Sequence, residues 1–178
     1  MRHIARDSTH TDHRQLSLPR RIIFGRDPRR TAVRVLALTA VAFITFTWVL
    51  IPIRTDGPSM LPTYRSNALN LVNRWSYTMS APVRGDVDAI RLAGPSVVFV
   101  KRIVGLPGER LAIVDGVIHV NGAPLDEPYV EHRRKWERAE VTLGAPEYFA
   151  VGDNRGMSQG FHKFGVVDRE RILGKVVF

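Results

Sequence analysis

Residues 97–122 read VVFVKRIVGLPGERLAIVDGVIHVNG. Two short runs rich in Val and Ile, 111–114 and 117–120, flank Asp115-Gly116. Asp-Gly between apolar runs is a strong hairpin signal, because both positions of a type I′ turn need positive φ. Asn121-Gly122 marks the next turn in the same way. The longer run 97–104 before them reads as a strand buried over much of its length. Outward from this stretch the pattern repeats, with short runs at 68–72, 87–92, 148–151 and 175–178 reading as strands. Residues 129–140 are charged enough for a loop or short helix, and no amphipathic helix is convincing. The expectation is a mainly β, antiparallel domain over residues 54–178, with one small β extension.

Before this domain lies the one long uncharged run, residues 35–53, VLALTAVAFITFTWVLIPI. As a helix its 19 residues would span about 28 Å, close to the hydrocarbon thickness of a bilayer. Trp48 lies toward one end, where an indole favours the membrane interface, and Pro52 falls in the last turn. A cleaved signal peptide usually has a short charged leader and small residues closing the apolar run. Here the leader has 34 residues and the run closes on Ile-Pro-Ile. A signal-anchor helix fits better.

The 178 residues hold 26 Lys and Arg against 17 Asp and Glu, for a net charge of +9. Residues 1–34 carry nine Arg and three Asp, and the 54–178 segment is only +3. The charge therefore reports topology. The positive-inside rule places the N-terminus in the cytoplasm and the β domain outside, in a single-pass protein of the cell membrane. The tail, 1–34, has the composition of a largely disordered segment. No nucleic-acid partner is expected, because a binder would carry its basic residues on the folded domain. The chain has no cysteine, so disulfides, thiolate zinc sites and a cysteine nucleophile are excluded. HExxH and P-loop motifs are also missing from the sequence. No metal or cofactor is expected.

Of the 26 basic residues only four are Lys. Three have ordinary surroundings, while Lys101 interrupts the apolar strand. Pointing inward, it would be desolvated, its pKa lowered, and able to act as a base near neutrality, which Arg cannot do. Pointing outward, it would only guard a strand edge. Strand periodicity does not choose between the two. A lysine base could activate a serine, and Ser59 stands in a stiff Gly- and Pro-bounded loop just beyond the apolar run. The loop by itself reads equally as a linker turn.

Together these pieces resemble the bacterial type I signal peptidases, membrane-bound Ser–Lys peptidases. Gly57-Pro58-Ser59-Met60-Leu61-Pro62-Thr63 resembles the family's nucleophile box, and Arg84-Gly85-Asp86-Val87 its R-G-D box. The ten residues 100–109, VKRIVGLPGE, match its general-base box. Gly152-Asp153-Asn154-Arg155, followed by Ser158, resembles its G-D-N-R-x-x-S box, and residues 165–167 and 172–175 fit its C-terminal end. The resemblance implies Ser59 as nucleophile, Lys101 as general base and Ser158 as the hydroxyl that orients the lysine. It implies Gly57, Pro58 and Met60 as support for the loop and the oxyanion, with the Ser59 N–H in the hole. Asp153, Asn154 and Arg155 would be structural supports. The implied substrates are membrane-tethered preproteins, bound as an added β-strand and cut after an A-x-A-like site. The implied partner surface is the lipid bilayer.

The chain departs from the pattern where the family often reads S-x-D-S-R. Here Gly160 and His162 replace the acidic residue and the Arg, so Asn154 and Arg155 are expected to lose a partner. Two alternatives stay open at this stage. One is a specialised peptidase of the same family, acting on a pilin or conjugation-type substrate. The other is a catalytically silent, membrane-anchored, peptide-binding β domain.

Overall fold

The computed structural model describes residues 27–93 and 97–177. The described residues divide into two units, with the boundary between Phe43 and Ile44. Asp27 starts the helix, its carboxylate accepting the Arg29 N–H at 3.0 Å, and Pro28 follows at the first helical position, where a missing N–H costs nothing. Helix α1 covers Pro28–Ile44, and a π-helical segment continues it over Thr45–Val49. The stretch Arg29–Val49 is long and apolar enough to cross a membrane.

Both ends of this helix differ from expectation. It begins within the segment read as a disordered tail, of which residues 1–26 lie outside the described residues. It stops at Val49 rather than at residue 53, because the chain passes directly into strand β1, Leu50–Arg54. Pro52 sits within that strand rather than in a last helical turn. β1 lies at the sheet edge, where a residue without an N–H is tolerated.

The remaining strands are β2 Leu69–Asn73, β3 Val87–Ala93, β4 Val97–Gly105, β5 Arg110–Val114, β6 Val117–Val120, β7 Ala123–Pro124, β8 Arg138–Thr142, β9 Glu147–Val151, β10 Gly165–Asp168 and β11 Ile172–Val176. They form a seven-stranded sheet in the order β1-β2-β11-β3-β4-β9-β10 and a four-stranded sheet in the order β7-β6-β5-β8. Every neighbouring pair is antiparallel. The fold is thus mainly β, with one N-terminal apolar helix. The second sheet corresponds to the small extension. Its central hairpin turns at Asp115 and Gly116, whose φ angles of 52° and 83° are those that a type I′ turn requires.

β8 falls partly within the stretch read as a loop or short helix. Its charged residues are tolerated because it is an edge strand pairing only with β5. The last strand begins at Ile172, three residues earlier than expected. β10 was not anticipated as a strand and closes the other edge of the large sheet.

Three apolar clusters hold the domain. Val104, Phe149 and Val151 of the large sheet pack with Leu111, Ile113 and Ile118 of the small one, around Trp136 and Leu143. Ile90, Ile103, Tyr148 and Ala150 form a second cluster. The third gathers Val72, Val87, Ala89 and Val176 around Met60. Trp136 is 1% exposed, and its indole N–H donates to the Met157 carbonyl at 3.0 Å. Trp136→Ala should therefore cost about 3–5 kcal/mol, read by chemical denaturation of the detergent-solubilised chain. A loss below about 1 kcal/mol would show that this cluster does not join the two sheets.

Candidate active site

β1 delivers the chain to a closed loop. Thr55 N–H donates to the Ala68 carbonyl at 3.0 Å, and Asn67 N–H returns to Thr55 O at 2.7 Å. Residues 56–66 are thus pinched at their base, just before β2 begins. Gly57 adopts φ 89°, open to glycine at no steric cost, and its N–H donates to Ser66 Oγ at 3.1 Å. After Ser59, the chain turns through Leu61 N–H to Pro58 O (3.1 Å) and Tyr64 N–H to Met60 O (2.9 Å). Met60 drives its side chain into the apolar cluster below, so a buried residue adjoins the serine and fixes its height over the sheet.

The turn after β9 grips this loop from the other side. Asn154 donates its backbone N–H to Ser59 O at 3.1 Å and its side-chain amide to Pro58 O at 3.0 Å. Thr63 Oγ1 donates to Asp153 Oδ2 at 2.5 Å. Asp153 is 1% exposed and receives two bonds from the Arg102 guanidinium, at 2.8 and 2.6 Å. Arg102 also donates to Gly85 O at 2.7 Å and stacks 3.9 Å from the Tyr129 ring centroid. Arg155, fully buried, pairs with Glu127 and donates from Nε to Gly152 O at 2.8 Å.

β4 brings Lys101 to the serine. The amine is 2.7 Å from Ser59 Oγ, and the residue is 1% exposed. Burial pushes its pKa down to about 8, against the opposing pull of the Asp153 carboxylate. When the amine is neutral, the bond reverses polarity, and the hydroxyl donates to the nitrogen lone pair. Among the described residues, the Ser59 N–H has no hydrogen-bond partner and remains available as a donor. Beside the pair lies a cleft of about 450 Å³, lined on one side by Ile53, Thr55 and Gly57 and on the other by Val98 and Val100.

The expected residues do not all converge. Ser59, Lys101, Gly57, Met60, Asp153 and Asn154 share one neighbourhood. Ser158 makes no side-chain hydrogen bond to Lys101 among the described residues. Its residue is exposed, its side chain makes no hydrogen bond among the described residues, and its carbonyl accepts the Phe161 N–H at 3.1 Å. Asn154 and Arg155 keep partners despite the missing acidic residue, namely Pro58 O and Glu127. Arg102, Thr63, Glu127 and His162 were not anticipated. Arg102 could have been flagged by its place beside Lys101 on a buried strand. His162 was marked only by its replacing the Arg of the family pattern, which gives no partner for it.

The family model described as "Signal peptidase, peptidase S26" matches residues 29–178. The chain belongs to that family. It is 35% identical over 127 residues to a signal peptidase I of Leptolyngbya laminosa, covering 67% of this chain and 63% of the relative. A probable signal peptidase I-2 of Synechocystis is 35% identical over 123 residues, covering 66% and 56%. The signal peptidase IB of Staphylococcus aureus is 28% identical over 156 residues, covering 78% and 81%. The first two matches thus span somewhat less than two thirds of those relatives' own length. A crystal structure of a signal peptidase I from Enterococcus faecalis, 26% identical, aligns with a TM-score of 0.42 over 54% of this chain and 97% of that one.

The four lysines make the amine accessible to measurement. NMR of the 15Nζ-labelled chain should show one lysine titrating near 8, assigned by its loss in Lys101→Arg. Asp153→Asn removes the charge that holds the proton on, so the midpoint should move lower. A Lys101 midpoint near the ordinary 10.5 would contradict the buried site.

Proposed function

We propose that this chain is a membrane-anchored serine endopeptidase that cleaves signal peptides from exported preproteins through a Ser59–Lys101 dyad. The carrying observation is the 2.7 Å contact between a buried, depressed-pKa lysine amine and a serine hydroxyl at the edge of a cleft. Neutral Lys101 takes the Ser59 proton as Oγ attacks the scissile carbonyl. The ammonium then gives that proton to the leaving amine as the C–N bond breaks. Water, deprotonated by the same amine, releases the acyl group from Ser59. The unpaired Ser59 N–H supplies an oxyanion donor.

Strand topology supports the mode of substrate binding. β9 pairs with β4 only from Arg102 to Gly105, and β3 takes the other edge. The edge of residues 97–101 that faces away from β3 is therefore open beside the cleft. An extended peptide can add there as a strand, with backbone bonds for affinity and the apolar walls of Ile53, Val98 and Val100 selecting small side chains. The A-x-A preference follows from this reading. Arg29–Val49 anchors the enzyme as a single span, with the basic N-terminal segment in the cytoplasm and the catalytic domain outside. The loop of Ser59 follows the span within a few residues, which suits a substrate tethered to the same bilayer.

Ser59→Ala and Lys101→Arg should each lower cleavage of a preprotein in detergent by at least about a thousandfold, with the fold retained by circular dichroism. Lys101→Arg is the sharper variant, because it keeps a cation and removes the base. Cleavage within tenfold of the parent chain in either variant would overturn the dyad.

A further inference from the structure

His162 lies outside the dyad, yet it is held more tightly than a surface-loop residue needs to be. It is 4% exposed and follows the short turn Gln159–Phe161. The Gly152 N–H donates to its Nε2 at 3.0 Å. Trp136 meets the ring edge-on at a centroid distance of 4.9 Å, and Phe164 does so at 6.1 Å. A ring nitrogen that accepts has no proton, so the proton sits on Nδ1 and the imidazole is neutral. Nδ1 is buried with no hydrogen-bond partner among the described residues. An unpaired buried donor is a cost, and here it accompanies the placing of an acceptor at Nε2.

What that acceptor holds is the support of the nucleophile. Gly152 is wedged between the His162 ring and Ser59, and a Cβ there would overlap both the ring and the Ser59 carbonyl oxygen. The Gly152 N–H is taken by His162, and its carbonyl by Arg155 Nε at 2.8 Å. Two residues on, Asn154 donates to Ser59 O and Pro58 O. The ring, Gly152 and Ser59 therefore form one close-packed row, with its far end under the serine.

We propose that His162 is a positioning residue for this peptidase, its neutral Nε2 fixing Gly152 and through it the Ser59 loop in line with Lys101. The proposal rests on the dyad reading given above. It also accounts for the departure from the family pattern at this position. Arg has five donors and no acceptor, so it cannot take the Gly152 N–H. Gly160 offers no carboxylate to receive such an Arg. The Gly160 and His162 combination holds the turn by a different bond, one that requires an acceptor.

The test uses the full chain in detergent and a preprotein substrate, with Ser59→Ala as reference. Glutamine places an amide oxygen at a reach close to that of Nε2, so His162→Gln should keep kcat within about threefold. His162→Ala and His162→Arg should lower kcat by roughly 10–100-fold, the scale of a small misalignment. KM should change less than about threefold, since the cleft is untouched. The pH midpoint of kcat/KM should stay where Lys101 sets it in His162→Gln. An Arg variant with parental kcat, a Gln variant as impaired as Ala, or a displaced midpoint in the Gln variant would each overturn the positioning role. If the Ala and Arg variants fail to fold, the Gln variant alone decides, by its kcat and its midpoint. Cleavage by Ser59→Ala would instead strike the dyad itself.

Discussion

One lysine amine is buried against one serine hydroxyl, and most of the site serves that contact. An ammonium in this position is disfavoured by lost hydration. That penalty is what lowers the Lys101 pKa to about 8. The Asp153 carboxylate opposes the shift, and the structure limits its influence by engaging it elsewhere. Both its oxygens are occupied by Arg102, and one also accepts from Thr63. Asp153 thus binds the Ser59 loop to β4 without pairing directly with the amine.

The same economy appears in how the loop is held. Ser59 is not fixed by its own side chain. Met60 sinks into the sheet, the carbonyls of Pro58 and Ser59 are taken by Asn154, and Thr63 reaches Asp153. The hydroxyl of Ser59 faces the Lys101 amine, and its backbone N–H has no partner among the described residues. Arg155 and Glu127, an ion pair fully desolvated in the interior, hold the turn that supplies Asn154. Such a pair adds little net stability relative to apolar packing, and here it fixes the direction of a turn.

Much of this was legible in the sequence, for definite physical reasons. Short runs rich in Val and Ile with Asp-Gly and Asn-Gly turns specify hairpins locally, so β3 to β6 fell close to their expected bounds. The oddness of a Lys in an apolar strand of an Arg-rich chain was equally local. Other features depend on distant partners. The end of α1 was misplaced because residues 50–53 are as apolar as the helix before them, and only pairing with β2 makes them a strand. β8 was obscured by its charges, which an edge position tolerates. Ser158 was assigned by resemblance, and the turn carrying Gly160 leaves it exposed. His162 stood out only as a departure from the family pattern, because its contacts are made with Gly152, ten residues away, which in turn packs on Ser59, more than a hundred away.

The central claim is that a neutral Lys101 is the general base. The pH dependence of kcat/KM for a preprotein substrate tests it most directly. The account predicts a rate that is low in acid, rises tenfold per pH unit below the lysine pKa, and levels off above about 8. A rate that stays flat from pH 8 down to pH 5 would contradict it.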